Sequence, residues 1–201
     1  MTKKLLNPFA YINDVKLLII GFIAHLFFIF IAYYFNYYFP DFISIQKTII
    51  NFSFLDILYQ NSRNVIIACI ILFICGRRIN SKTRFIDICN VVLIARIPYY
   101  LILLTDFVPI VKEKMNLVTK SVQTNNLVVF QDSSVMVVIM IIAILALLVM
   151  VLMFYYLYIG FKTVTNLKTL KQKLGFILSV IIIIFITFVL SVLIPQTIFK
   201  L

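Results

Sequence analysis

Apolar residues fall along this chain in five long blocks, and polar residues are confined largely to the stretches between them. Residues 17–35, 135–160 and 174–197 are almost uninterrupted, while 57–76 and 88–111 reach the same length with polar residues inside. A hydrocarbon core about 30 Å thick asks for about 20 helical residues, so each block is long enough to cross it. The pattern predicts an all-α polytopic membrane protein, a five-transmembrane-helix bundle forming a single membrane domain over residues 1–201. The second block is the least regular. Its clean apolar part, Val65–Cys75, would rise only about 16 Å. That span must therefore begin near Ile57, with Gln60, Asn61, Ser62, Arg63 and Asn64 at the outer headgroups or against other helices. A re-entrant segment is the competing reading. It would break the odd number of crossings and contradict the charge pattern, and is rejected.

The chain is 64% hydrophobic, well above the roughly half of a soluble domain. Its net charge of +11 is spread over short connections rather than gathered on one face, which argues for topology signals and anionic headgroups over nucleic acid. Lys3, Lys4 and Lys16 precede the first span; Arg77, Arg78, Lys82 and Arg84 follow the second; Lys162, Lys168, Lys171 and Lys173 follow the fourth. These eleven basic residues lie on one side, against six (Lys47, Arg63, Lys112, Lys114, Lys120, Lys200) on the other. The positive-inside rule then places the amino terminus inside and the carboxyl terminus outside. The first block lacks a cleavage site and is too long for a signal-peptide core, so it is expected to stay attached.

Two outer connections are long. Asn36–Asp56 carries Phe42, Ile45, Ile49, Ile50 and Phe52 among polar residues and is expected to rest partly on the interface. Lys112–Ser134 is polar, with a turn predicted at Asn125–Asn126. On the inner side, Val164, Leu167, Leu170 and Leu174 stand at helical spacing and predict a short helix running into the last span.

Inside the apolar blocks, Arg96 stands out, because a charge in a span is costly and by default marks a functional hypothesis. Pro98 frees the carbonyl of Ile94 as an acceptor for it. Arg96 therefore reads either as structural or lipid-anchoring, or as a substrate or gating group. His25 shares a face with Gly21, Phe28 and Ala32 and fits a hydrogen bond across a packed interface better than a proton relay. Asp56 and Asp106 would have to face each other for aspartyl chemistry, but surface pairing with Lys112, Lys114 or Arg63 is the simpler expectation. Gly175, Ser179, Thr187 and Ser191 form a small-residue ridge for close helix packing. Cys69, Cys75 and Cys89 are odd in number and unpaired in spacing, so neither a disulfide framework nor a metal site is expected. With four glycines and no nucleophile–base pattern, no cofactor and no enzymatic activity are predicted.

Several short segments resemble the Yip family of Ypt/Rab-interacting membrane proteins, in particular its short bacterial members. These are Asn7-Pro8-Phe9, then Gly76 with Thr83-Arg84-Phe85, Asp87, Ala95 and Pro98, and finally Tyr158-Ile159-Gly160-Phe161-Lys162. The similarity covers about Asn7 to Ile194 with the same five crossings, and it implies a multi-pass protein of the bacterial inner (cytoplasmic) membrane. In eukaryotic relatives it implies Rab GTPases and other family members as partners. The long cytosolic segment that precedes the first span there has about sixteen residues as its counterpart here, which argues against GTPase recognition.

The expected function is that of a non-enzymatic membrane protein organising lipids or partner proteins. The alternative is a small oligomeric transporter or channel built on Arg96 and Pro98. The expected partners are the bilayer, anionic lipids, and other membrane proteins or further copies of the chain. The two inner connections, opposed only by Asp87, are expected to form one basic surface that holds anionic lipid and receives any soluble partner. Reporter fusions at Leu201 and in the Lys168 connection should report opposite compartments; a shared compartment would overturn the topology.

Overall fold

The computed structural model describes residues 6–194. Lys3, Lys4, Lys200 and the last residues of the fifth predicted span lie outside them. Among the described residues, five helices are long and apolar enough to cross a membrane. A short helix α1 (Pro8–Tyr11) leads into α2 (Asp14–Tyr34), the first crossing. The second, α3 (Phe54–Ile79), starts at a capping box in which Ser53 and Asp56 satisfy each other's backbone N–H groups. At 26 residues it is a full crossing rather than a re-entrant segment.

The third crossing differs from the predicted 88–111. Helix α4 (Phe85–Tyr100) tightens directly into a 3₁₀ segment, Leu101–Phe107, and stops at the extended Val108. Pro109 then opens a separate helix α5 (Pro109–Gln123), its fixed φ and missing N–H suiting the first turn. A polar loop expected there is thus mostly helix, with the predicted turn at its end, where Asn125 has φ 52°. A second 3₁₀ segment, Leu127–Gln131, precedes α6 (Ser133–Thr165, 33 residues), and α7 (Leu170–Leu193) completes the bundle. The short inner helix predicted around Val164–Leu174 is absent as a unit. Val164 lies in the last turn of α6, Asn166 caps it in the left-handed region, and Thr169 caps the start of α7 with Gln172 in a capping box. Asn36, Asn125 and Asn166 all take positive φ, each closing a helix. Asparagine tolerates that conformation better than any other side chain, and here it serves where glycine commonly would.

Helix α4 lies at the centre, packed by α2, α3 and α6, and α7 packs on α3. The burial follows: 61% of the apolar stretch of the third crossing is covered, against 11% for α6. Lipid tails are as apolar as leucine, so close approach rather than water-driven burial must hold the helices. Ala32, Ala68 and Ala95 are accordingly fully buried. Gly21 lies so near Leu93 that an added Cβ would stand 2.8 Å from that residue's Cβ. Gly160 likewise admits the ring of Phe9, 2.7 Å from where its Cβ would be.

The alternating helices give the bundle two unlike ends. At one, the connections after α3 and α6 meet. The Thr83 hydroxyl donates to the Gly76 carbonyl at 3.3 Å, and Gly76 also lies against Thr165. Asn7 donates to Thr163, and Asn90 to the Asp14 carbonyl, fastening the chain start there. The other end is capped by the 36–53 connection, a two-residue antiparallel ladder (Tyr37 with Lys47, Tyr38 with Gln46), and by α5.

Gly21→Ala should destabilise the bundle by about 1–3 kcal/mol through overpacking. Gly175→Ala, with nothing within 4 Å of the new methyl, should be neutral or mildly stabilising. Unfolding of the two variants in matched micelles checks the contrast.

Candidate functional site

The polar start of α3 is turned inward. Gln60, Asn61 and Asn64 are fully buried and Arg63 nearly so. What they meet is the irregular backbone of the 36–53 connection, whose first half dips into the bundle. Phe39 N–H donates to Gln60 Oε1 at 3.1 Å, and Asn64 Nδ2 donates to the Phe39 carbonyl at 3.0 Å. Arg63 donates to the Pro40 carbonyl at 2.7 Å. From α7, the Thr187 hydroxyl accepts the Phe42 N–H at 3.1 Å, and from α4 the Tyr99 hydroxyl donates to the Ile43 carbonyl. Asp41, also buried, accepts from the N–H groups of Ile43 and Ser44. Phe42, expected at the interface, is fully buried; Ile49 and Ile50 remain exposed.

Beneath this plug sits Arg96, with no exposed surface. Its guanidinium carbon lies 5.0 Å from the ring centre of Phe42, 5.1 Å from Tyr100 and 6.0 Å from Phe39. None of its three nitrogens has a hydrogen-bond partner among the described residues, so the Ile94 carbonyl freed by Pro98 does not serve it. The side chain extends toward the capped end, not toward the basic one. Three aromatic faces thus hold the cation, each worth about 2 kcal/mol or more when desolvated.

His25 joins the same cluster through Tyr100. Its Nδ1 lies 3.0 Å from the Tyr100 hydroxyl, which donates to Asn61 Oδ1 at 3.0 Å, linking α2, α4 and α3. Arg63 Nη1 and Asn61 Nδ2 also lack partners among the described residues. The cluster is therefore rich in donors without partners among the described residues. Pro98 faces away, lining an apolar groove with Pro8, Leu17 and Tyr156.

The two suspected aspartates are engaged elsewhere. Asp56 caps α3 through Ser53. Asp106 pairs with Lys47, not with Lys112 or Lys114, and accepts from the Tyr37 hydroxyl at 3.1 Å. Burial, then the carboxylate itself, pushes that hydroxyl above the usual phenol range.

Of the eight basic residues at the two basic connections, Arg84 alone forms ion pairs among the described residues, with Asp87 and with Asp14. These two carboxylates hold its guanidinium above the ordinary arginine range. Asp14 is thus a second acid opposing the basic surface. Arg77 donates to the Ser81 carbonyl, while Lys82, Lys162, Lys168 and Lys173 are exposed. Arg78 and Lys171 line one groove between α3 and α7. The motif residues are packing and capping elements at this same end. Gly76 and Thr83 join the two connections, Phe85 packs edge-on to Phe73, Asp87 caps α4 with Arg84, and Gly160 receives Phe9. Cys69, Cys75 and Cys89 are free thiols.

The sequence reading leaves Gln60, Arg63 and Asn64 between headgroups and other helices, counts Lys47 only as an outer charge, and does not single out Phe39 or Asp14. The signal for three of them was present, since five consecutive polar residues (60–64) inside a crossing need buried partners. Compared with family models, curated proteins and solved structures, the chain matches none.

The Lys47–Asp106 pair is enclosed, with 6% and 0% of the side chains exposed. Asp106→Asn should cost about 3–5 kcal/mol by stranding a buried ammonium. Adding Lys47→Met should recover most of that loss in micellar unfolding, and no recovery would mean that the pair is not what holds this end.

Proposed function

We propose that this protein is a non-enzymatic integral membrane protein that organises anionic lipid, and partner proteins drawn to it, on the basic end of its helical bundle. In this reading it is a short Yip-like membrane domain of the bacterial inner membrane, with that basic end on the cytoplasmic side. The observation that carries the reading is the contact of Gly76, Thr83 and Thr165, which draws the two basic connections onto one surface. Arg84 is held between Asp14 and Asp87, and the other seven of the eight cations form no ion pair among the described residues and can act on headgroups. Each contributes about 1 kcal/mol near an anionic leaflet, over a range of about 8–10 Å.

Transport through the Arg96 region draws less support. Arg96 is enclosed by three aromatic rings and lines neither the Pro98 groove nor the groove between α3 and α7. Aspartyl chemistry is likewise unsupported, because Asp56 and Asp106 serve different partners.

Replacing Arg77, Lys82, Lys162, Lys168 and Lys173 with glutamine should lower the number of phosphatidylglycerol molecules retained in native mass spectrometry. Glutamine avoids the insertion defect that charge reversal would bring. Unchanged retention would leave these residues a role in topology alone.

A further inference from the structure

The groove between α3 and α7 joins a cationic mouth to a largely apolar slot, a polarity that suits a lipid's phosphate and one of its chains rather than a diffuse basic surface. Its volume is about 400 Å³, within the ~300–1,000 Å³ of small-molecule sites. One wall is Ile71 and Ile74 of α3, the other Leu178 and Ile182 of α7. Ile74, Leu178 and Ile182 are 51%, 58% and 38% exposed, so this surface lies open at hydrocarbon depth. The two helices run in opposite directions, and this decides the polarity. Arg78 follows Ile74 by one turn as α3 arrives at the basic end, and Lys171 precedes Gly175 by one turn as α7 leaves it. Both cations therefore stand at the same mouth of the groove, with a mostly apolar wall beyond them that Ser179 interrupts. Neither forms an ion pair among the described residues.

Gly175 makes the room. A Cβ there would meet nothing within 4 Å, unlike the tight glycines at 21, 76 and 160. Its small size was read from sequence as helix packing, but here no helix fills the space. From Lys171 to Ile182 the groove runs eleven residues, about 16 Å, close to half of a ~30 Å hydrocarbon core. That is the depth of one leaflet.

From this geometry we infer that the α3–α7 groove binds one anionic glycerophospholipid, its phosphate between Arg78 and Lys171 and an acyl chain along Ile74, Gly175, Leu178 and Ile182. This rests on the reading of the basic end as a lipid-organising surface, and adds a single saturable site to it. Free phosphate would satisfy the two cations but not the apolar slot.

The test is retention of phosphatidylglycerol by the full chain, extracted from mixed phosphatidylglycerol–phosphatidylcholine nanodiscs and read by native mass spectrometry at rising collision energy. Gly175→Phe fills the groove and leaves every charge in place; Arg78→Gln with Lys171→Gln empties the mouth and leaves the slot. Each should remove one tightly held phosphatidylglycerol, the charge pair weakening it roughly 30-fold. The five-glutamine variant, which spares both cations, should keep that lipid while losing the looser ones. If Gly175→Phe retains the tight lipid, the groove is not the site, whether or not the five-glutamine variant sheds its looser lipid. If neither variant changes any retention, the lipid-organising reading falls together with the groove. Inorganic phosphate at high concentration should not displace the lipid; displacement would show that the apolar slot adds nothing.

Discussion

The arrangement depends on keeping irregular backbone satisfied inside a helical bundle. Between Phe39 and Ser44 the chain is neither helix nor ladder, yet it lies among crossings where water is scarce. Unpaired peptide groups at that depth cost several kcal/mol each, so they persist only where protein supplies the partners. Gln60, Arg63, Asn64, Tyr99 and Thr187 supply them from three different helices, and Asp41 turns two N–H groups back onto the loop itself. The connection thereby becomes a fastening between α3, α4 and α7. The polar first half of α3, costly in lipid, is explained by what it serves.

The same end of the protein handles two buried cations in opposite ways. Lys47 has an acid, and the pair is enclosed with Tyr37 beside it. Arg96 has no acid and no hydrogen bond among the described residues, and rests on aromatic faces instead. Guanidinium is planar, delocalised and weakly hydrated, which suits it to lying between aromatic faces. Two of the three faces, Phe39 and Phe42, come from the plug. The plug's backbone bonds and the Arg96 cage therefore stand or fall together, and His25 is bound to both through Tyr100.

The five crossings were legible because apolar run length is a local property, and lipid enforces it. The break in the third crossing was less so: 88–111 is continuous in hydropathy, and only Pro109 marked where one helix stops and another starts. The burial of Gln60–Asn64 was legible only as one of two options, for a different reason. Polar residues near a helix end read alike whether they face headgroups or a distant loop, and their partners lie some twenty residues away or on another crossing. The basic connections were legible as charge. That Asp14 would reach Arg84 was not, because nothing local joins residues 70 positions apart. Gly175 misled for the same reason: a small residue reads as a contact until the space beside it is known.

Helix α6 has 33 residues, about 50 Å of rod, and it is held at the basic end by Thr165 against Gly76 and by Gly160 against Phe9. A bilayer core of about 30 Å cannot enclose it upright. With one end fixed, the excess can be absorbed only by lean or by projection at the far end, where Asp132 meets Lys114 of α5. A thinner membrane increases the misfit and a thicker one relieves it, and α6 is the helix with the least protein around it to resist. Membrane thickness thus acts on this bundle as a lever, with its fulcrum among the basic connections and its free arm under α5.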